Sequence, residues 1–328
     1  MSAELLLVLD RRDTVVRLDV RALRIDQAEQ PPQYVPLHLL GLVVVYGRAL
    51  VACDVWRALA ERDIPAVLLP ARGGGASAWV GAALSGNILL RSAQHRAAEC
   101  DVARLKLARQ VLNAKLAAYQ SAARRLVPVV ANAGQVFSTL FQSNVEVLAI
   151  GNAPNIGVLM GIEGHAAAAW FQGLATGIAP HWQFHHRNRR PPRDPVNALL
   201  SLGYTLIGGE MLGAIQQAGL DPARGFLHES VSGREALVLD LIEPLRPAVD
   251  VVVLNLLERV LTPADFTTND SDGCRLTKDG RARFYQAWAT ARKNWPDLED
   301  AAPEAVRSLR QVCQARMAWL RMALDKYS

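Results

Sequence analysis

The sequence predicts an α+β protein, a small β-rich N-terminal domain over residues 1–88 followed by a larger all-α domain over residues 89–328. Short apolar runs rich in β-branched residues are confined to the first 70 residues. From Ser92 onward long, Ala-rich segments carry charges at helical spacing. At 328 residues the chain also exceeds the roughly 250–300 at which one core usually stops growing, so two domains are expected.

The elements follow in order. Leu5–Leu9, Thr14–Leu18, Ala22–Ile25, Leu42–Val45 and Ala66–Leu69 read as strands. Between the last two, Val55 and Leu59 share one face of a short helix, Cys53–Arg62, that ends before Asp63-Ile-Pro65. Gly73-Gly-Gly75 has no Lys or Ser/Thr at P-loop spacing and reads as a hinge or turn. Ser92 to about Leu126 reads as one long helix, limited by Pro128. The next helix opens at Pro154 and runs to about Leu174. Gly157, Gly161, Gly164 and Gly173 each cost it about 1 kcal/mol relative to Ala, a penalty that asks for a packing or functional reason. Asp194 is an N-cap ahead of Pro195 at the first helical position, starting a helix that reaches Gln217 and is stopped by Gly219. Glu235–Leu245 and an apolar helix from Pro247 to Val260 come next. A small hairpin is expected around Asn269-Asp-Ser-Asp-Gly273, and two helices, Lys278–Lys293 and Pro303–Leu324, complete the series.

Four widely spaced cysteines form no C-x-x-C pair, which gives no support to a zinc ribbon or redox motif and fits a reducing compartment. The start lacks the cationic region of a signal peptide, and the apolar run from Val35 to Gly47 is too short for a bilayer, so a cytoplasmic protein without a membrane partner is expected. Nine Arg balance nine acids over residues 1–90, which leaves the whole net charge of +5 to the rest. That surplus has two knots. Residues 91–126 hold eight cations, among them Lys115, and Arg187, Arg189, Arg190 and Arg193 follow His181, His185 and His186. Both knots suit a polyanion such as DNA; a solvated helix face and a surface loop would produce the same pattern. Trp182 and Phe184 offer either a stacking surface for a base or packing beneath the loop.

Three places put ionisable groups where apolar ones are expected. Glu163 is a lone carboxylate in the small-residue run Leu159-Met-Gly-Ile-Glu-Gly-His-Ala-Ala-Ala-Ala-Trp170, and burial there costs stability unless a cation answers it. His228 ends an apolar turn after a helix stop. Asp240 and Glu243, three apart, share a helical face. Singly each has a plain structural explanation, such as a paired surface acid or a satisfied turn histidine. Together they offer carboxylate oxygens and one imidazole, a set suited to Mg²⁺ or Mn²⁺. A di-iron carboxylate bundle is disfavoured, since neither Glu163 nor Glu210 has His at i+3.

Four runs in order, Glu163-Gly with Ala168-Ala-Trp-Phe171, Asn197-Ala-Leu-Leu-Ser-Leu-Gly-Tyr204, Ala218-Gly-Leu-Asp-Pro with Gly225-Phe-Leu-His228, and Leu239-Asp-Leu-Ile-Glu-Pro-Leu-Arg-Pro247, resemble the CRISPR-associated integrase over essentially the whole chain. This family is the larger of the two universal CRISPR adaptation proteins and is also described as a metal-dependent DNA endonuclease. The resemblance implies that Glu163, His228 and Glu243 are divalent-metal ligands supported by Asp240, and that Asn197 and Tyr204 lie on a helix of packing or DNA-proximal groups. Trp170 stands where most members carry Tyr. It further implies joining of short duplex DNA, the prespacer, to a repeat by 3′-hydroxyl attack, a homodimer formed through the N-terminal part, and a small ferredoxin-like partner. Three rivals remain: a transposon-encoded homologous integrase, a non-catalytic DNA scaffold whose acids hold a structural cation, and a plain helical interaction protein, which would leave Glu163 unexplained in its apolar setting.

Overall fold

The computed structural model describes residues 5–70, 76–81, 87–130, 145–189, 191–271, 273–299, 302 and 305–327. Strands β1 (Leu5–Leu9), β5 (Leu40–Tyr46), β7 (Ala66–Leu69) and β8 (Ala78–Val80) form a sheet in the order β1-β5-β7-β8, parallel except for the last. A second sheet has the order β4-β3-β2-β6, from β2 (Val15–Asp19), β3 (Ala22–Asp26), β4 (Gln33–Pro36) and β6 (Leu50–Val51). The expected strands are thus present, and β4, β6 and β8 are additions too short or too polar to stand out in sequence.

β5 is apolar on both sides because both are covered. Val43 and Val45 point into a core with Val16, Leu23, Ile25 and Leu59 of helix α1 (Cys53–Ala60). Leu42 and Val44, together with Val67 and Leu69 of β7, join the core of the helical part. The sheet is therefore a shared wall, and the core runs unbroken past residue 88.

The helical part contains α2 (Ile88–Glu99), α3 (Asp101–Leu126), α4 (Val145–Asn152), α5 (Ile156–Gly177), α6 (Pro195–Gln217), α7 (Ala236–Ile242), α8 (Arg246–Arg259), α9 (Lys278–Lys293) and α10 (Leu309–Asp325). The single helix expected over Ser92–Leu126 is two, because Cys100 adopts an extended conformation (φ −86°, ψ 109°) and turns the chain between them. Pro154 is not the first helical residue of α5; Asn155 caps it by accepting a hydrogen bond from Val158 N. Asp194 does cap α6, Gly219 follows its end at φ +78°, and α9 has the expected bounds. The expected hairpin is β9 (Phe266–Asn269) with β10 (Gly273–Leu276). A second pair, β11 (Trp295–Pro296) with β12 (Val306–Arg307), was not expected, and α10 starts at Leu309 behind a Ser308–Gln311 capping box. The Gly73–Gly75 hinge and Pro303 lie outside the described residues.

α6 is the central rod. By length and composition it is apolar enough to cross a membrane, but 67% of its most apolar window is buried inside the molecule. Its glycines let it lie directly on the sheet: a Cβ at Gly208 would come within 2.5 Å of the Trp79 ring, and one at Gly209 within 2.3 Å of Val67 Cγ2. Trp79 Nε1 also donates to Thr205 O at 3.2 Å. In a thermal melt Gly209→Val should destabilise the chain by about 1–3 kcal/mol through overpacking. Gly161→Ala, whose new methyl meets nothing within 4 Å, should stabilise it by about 0.5–1 kcal/mol. Equal melting temperatures for the two would refute the close seating of α6.

Candidate functional site: a carboxylate–imidazole cluster

Three stretches meet at one buried point. On α3, Lys115 has Val111 and Tyr119 one turn to either side, both buried, so the helix period carries its side chain inward and leaves it 2% exposed. Its Nζ donates to Glu163 Oε1 on α5 and, at 2.5 Å, to Glu243 Oε2 just past α7. The lone carboxylate in its small-residue helix thus has its cation, from 48 residues away. Buried Glu243 and half-buried Glu163 share one ammonium, which offsets the desolvation cost of both.

Glu243 begins a single 3-10 turn, Glu243–Leu245, where Pro244 and Pro247 interrupt regular helix between α7 and α8. Its other oxygen accepts from Arg246 Nε at 2.8 Å. Burial alone would raise the Glu243 carboxyl, but Arg246 and Lys115 hold it down at about 2. Arg246 in turn lies over the Tyr204 ring at 4.7 Å.

Asp240 points from α7 to the loop behind it. Its Oδ2 accepts from Phe226 N at 2.5 Å and Leu227 N at 2.9 Å, and its Oδ1 accepts from His228 N and His228 Nδ1, both at 2.8 Å. With the Asp240 carboxylate accepting, Nδ1 is the ring nitrogen that donates, and in a neutral imidazole that tautomer leaves the lone pair on Nε2. Nε2 lies 4.0 Å from Glu243 Oε1. Gly225 makes this approach possible, since a Cβ there would meet Asp240 Oδ2 at 2.8 Å and the Ala236 backbone at 2.9 Å. Asp240 is therefore an orienting group: the histidine it holds presents a neutral nitrogen toward the glutamates.

Behind the cluster, Asp250 of α8 is 1% exposed and accepts from Tyr204 OH at 2.5 Å and from Trp170 Nε1 at 2.8 Å. Burial pushes its carboxyl up to about 6, against the pull of both donors and of Arg187 and Arg246. Lys115 and Asp250 are site residues that inspection of the sequence for acids and histidines passed over. The signal for Lys115 was available: it interrupts an apolar face with apolar residues at i−4 and i+4.

Other assignments need correction. Asn197 is fully buried; its Oδ1 accepts from Arg187 at 2.8 Å and from Asn188 N at 3.0 Å, while its Nδ2 donates to His186 O at 2.9 Å. Arg187 also donates to Ser201 Oγ at 2.9 Å. Asn197 and Tyr204 therefore take the packing role of the two expected for that helix, and Arg187, expected in the basic loop, is tied to the same network. Arg189 and Arg193 are exposed, and Arg190 lies outside the described residues. Trp182 and Phe184 are buried, Trp182 edge-on to Phe266 at 6.0 Å, so packing accounts for them. Most of the 91–126 cations are likewise committed: Arg91 Nε donates to Gly219 O, Arg96 Nε to Tyr327 O, Arg104 Nε to Phe226 O and Arg109 Nη2 to Ala153 O.

Among the described residues no three His, Cys, Asp or Glu side chains converge tightly enough to hold a metal ion as they stand, because an ammonium fills the space between the glutamates. The donor set nonetheless fits a hard dication. Two carboxylates already aim at one cation position, beside an imidazole whose free nitrogen is fixed by a carboxylate on its far side.

Comparison with known proteins gives the family. The family profile described as CRISPR associated protein Cas1 matches residues 7–290. A CRISPR-associated endonuclease Cas1 of Rhodospirillum rubrum is 35% identical over 305 residues, covering 89% of this chain and 88% of its own. One from Moorella thermoacetica is 33% identical over 285 residues, covering 84% and 82%. The fold is shared with a casposase bound to integration product (TM-score 0.81, 22% identity, 97% and 90% covered) and with a Cas1 protein from Thermotoga maritima (TM-score 0.80, 22% identity, 98% and 97% covered). Fold and relatives together place the chain among the CRISPR-associated proteins. Within that class the chain belongs to the Cas1 family.

The Asp250 carboxyl gives a pH test. Its pKa is raised on folding, so the folded chain binds the extra proton and loses stability as pH climbs from about 4 to about 6. In Asp250→Asn the amide oxygen can accept from Trp170 while its NH₂ donates to the Tyr204 oxygen, which keeps the network. That variant should lack the 4-to-6 decline in melting temperature; an unchanged profile would show that Asp250 is not its source.

Proposed function

We propose that this chain is the integrase of CRISPR adaptation, a divalent-metal-dependent enzyme that joins short duplex DNA to a repeat by attack of a 3′-hydroxyl on a phosphodiester. The reading is carried by one observation: Glu163 and Glu243, from helices far apart in sequence, share a single cation position beside the free nitrogen of His228. Glu163, Glu243 and His228 Nε2 would hold Mg²⁺ or Mn²⁺, and Asp240 would keep the imidazole in the tautomer that can do so. When bound, such an ion lowers the charge cost of phosphoryl transfer by several kcal/mol. In the reaction one P–O bond forms as another breaks, so no nucleotide hydrolysis is needed.

Around the reacting atoms the chain's own groups position and exclude. Arg246, packed on Tyr204, keeps Glu243 ionised and aimed. The Arg189 and Arg193 loop would track phosphates without reading bases. The neutral N-terminal sheets would pair two copies. A small ferredoxin-like second protein would complete the assembly, in line with the relative solved as a Cas6-RT-Cas1–Cas2 complex. Retention of the full acid–imidazole set supports this reading over a DNA-binding scaffold.

With Mn²⁺, a labelled prespacer duplex and a repeat-bearing plasmid, Glu163→Gln and His228→Ala should each lower strand transfer at least about a hundredfold. Transfer at the wild-type rate would remove those residues from the chemistry. For the loop, Arg189→Ala with Arg193→Ala should flatten the slope of log affinity against log salt by about one per lost phosphate contact. Arg187→Ala should instead lower the melting temperature and leave that slope as it is.

A further inference from the structure

Lys115 has no place in a list of metal ligands, yet it is the side chain that touches both glutamates. Three of the four glutamate oxygens, including both that face the shared position, already accept from a cation. Glu163 Oε1 and Glu243 Oε2 accept from the Lys115 ammonium, and Glu243 Oε1 accepts from Arg246. A dication that takes the position between the two carboxylates must therefore displace the cation that fills it. Arg246 is the poorer candidate to leave: it bonds Glu243 and not Glu163, and its guanidinium is wedged over the Tyr204 ring at 4.7 Å. Lys115 is a point charge on a flexible stem. The Tyr119 ring, one helical turn further along α3, lies 5.6 Å from its Nζ and gives the ammonium a second place to rest.

We propose that Lys115 is a built-in placeholder cation, which holds Glu163 and Glu243 together while no metal is bound and yields their shared position to the divalent ion. The inference rests on the reading that these glutamates and His228 take that ion. Its physical content is competition. Without Lys115 the two carboxylates face each other with Arg246, on Glu243 alone, as counter-charge, which lowers stability, and an entering dication no longer has to evict an ammonium, which raises its affinity. A lysine that served instead as a permanent partner of the metal site, for example by touching substrate phosphate, would have no reason to weaken metal binding.

The test measures Mn²⁺ binding to the full-length chain at pH 8, by electron paramagnetic resonance of free Mn²⁺, together with melting temperatures without metal and at saturation. Lys115→Met and Lys115→Gln should melt lower than wild type without metal, bind Mn²⁺ about tenfold tighter or better, and gain more from it in melting temperature. Lys115→Arg should restore the metal-free melting temperature. Folded Lys115→Gln protein that binds Mn²⁺ no more tightly than wild type overturns the proposal. Should neither neutral variant fold, amine labelling of wild type read peptide by peptide decides: Mn²⁺ should increase modification at Lys115, and unchanged or reduced modification overturns the placeholder role. Failure of the underlying metal reading looks different. There, wild type binds no Mn²⁺, or Glu163→Gln binds it as wild type does.

Discussion

An ammonium shared by two carboxylates is the interaction on which the centre of this molecule depends. Glu163 and Glu243 come from segments 80 positions apart, and each would be costly inside a packed helical domain without a counter-charge. Lys115 meets both, which ties α3 to α5 and to the α7–α8 junction at one point. Asp240 does for the histidine loop what Lys115 does for the glutamates. It satisfies three backbone N–H groups and one imidazole N–H at once, so the loop after α6 has a fixed shape before anything binds. Side-chain geometry of this kind is set by demand for partners in a largely buried setting, and the same demand makes it rigid.

The basic surplus is largely consumed by the fold. A count of arginines over residues 91–126 suggests a surface for a polyanion, but their planar forks reach across to helix ends and loops that lack donors of their own. Arg125 Nη2 donates to the carbonyls of Asp297 at 2.6 Å and Ala305 at 2.9 Å, organising the β11–β12 segment. Gln94, fully buried, receives Asp221 N and donates to the Asp221 and Arg224 carbonyls, which secures the loop that leads to His228. Composition counts charges; it does not reveal which carbonyls are waiting for them.

Much of the fold was legible because local physics decides it. Alternating strands, the Asp194-Pro195 start of α6, the stop at Gly219 and the bounds of α9 all follow from residues within a turn or two of each boundary. What escaped was non-local. Nothing near Cys100 announces a break in a good helical sequence; the break lets α2 and α3 pack on different neighbours. At the site, the odd acids and the histidine were visible as ionisable groups in apolar surroundings, and the need of Glu163 for a cation could be stated. Lys115 could be marked as inward-facing by Val111 and Tyr119 on either side, but that it meets Glu163, 48 positions away, is non-local, and by composition it looked like one more member of a basic patch. Arg187 misled for the opposite reason: a polar side chain in a basic stretch reads as outward when it in fact completes a buried network with Asn197 and Ser201.

The seating of α6 on the sheet has a mechanical consequence. Where Gly208 and Gly209 remove side chains, the helix backbone rests directly on Trp79 and Val67 of the strands, so one interlocked layer of side chains, not two, separates helix from sheet. The same helix carries Tyr204, which carries Arg246, which carries Glu243. Whatever docks against the outer strands is thereby held at a set spacing from the acids, as two ends of one stiff lever.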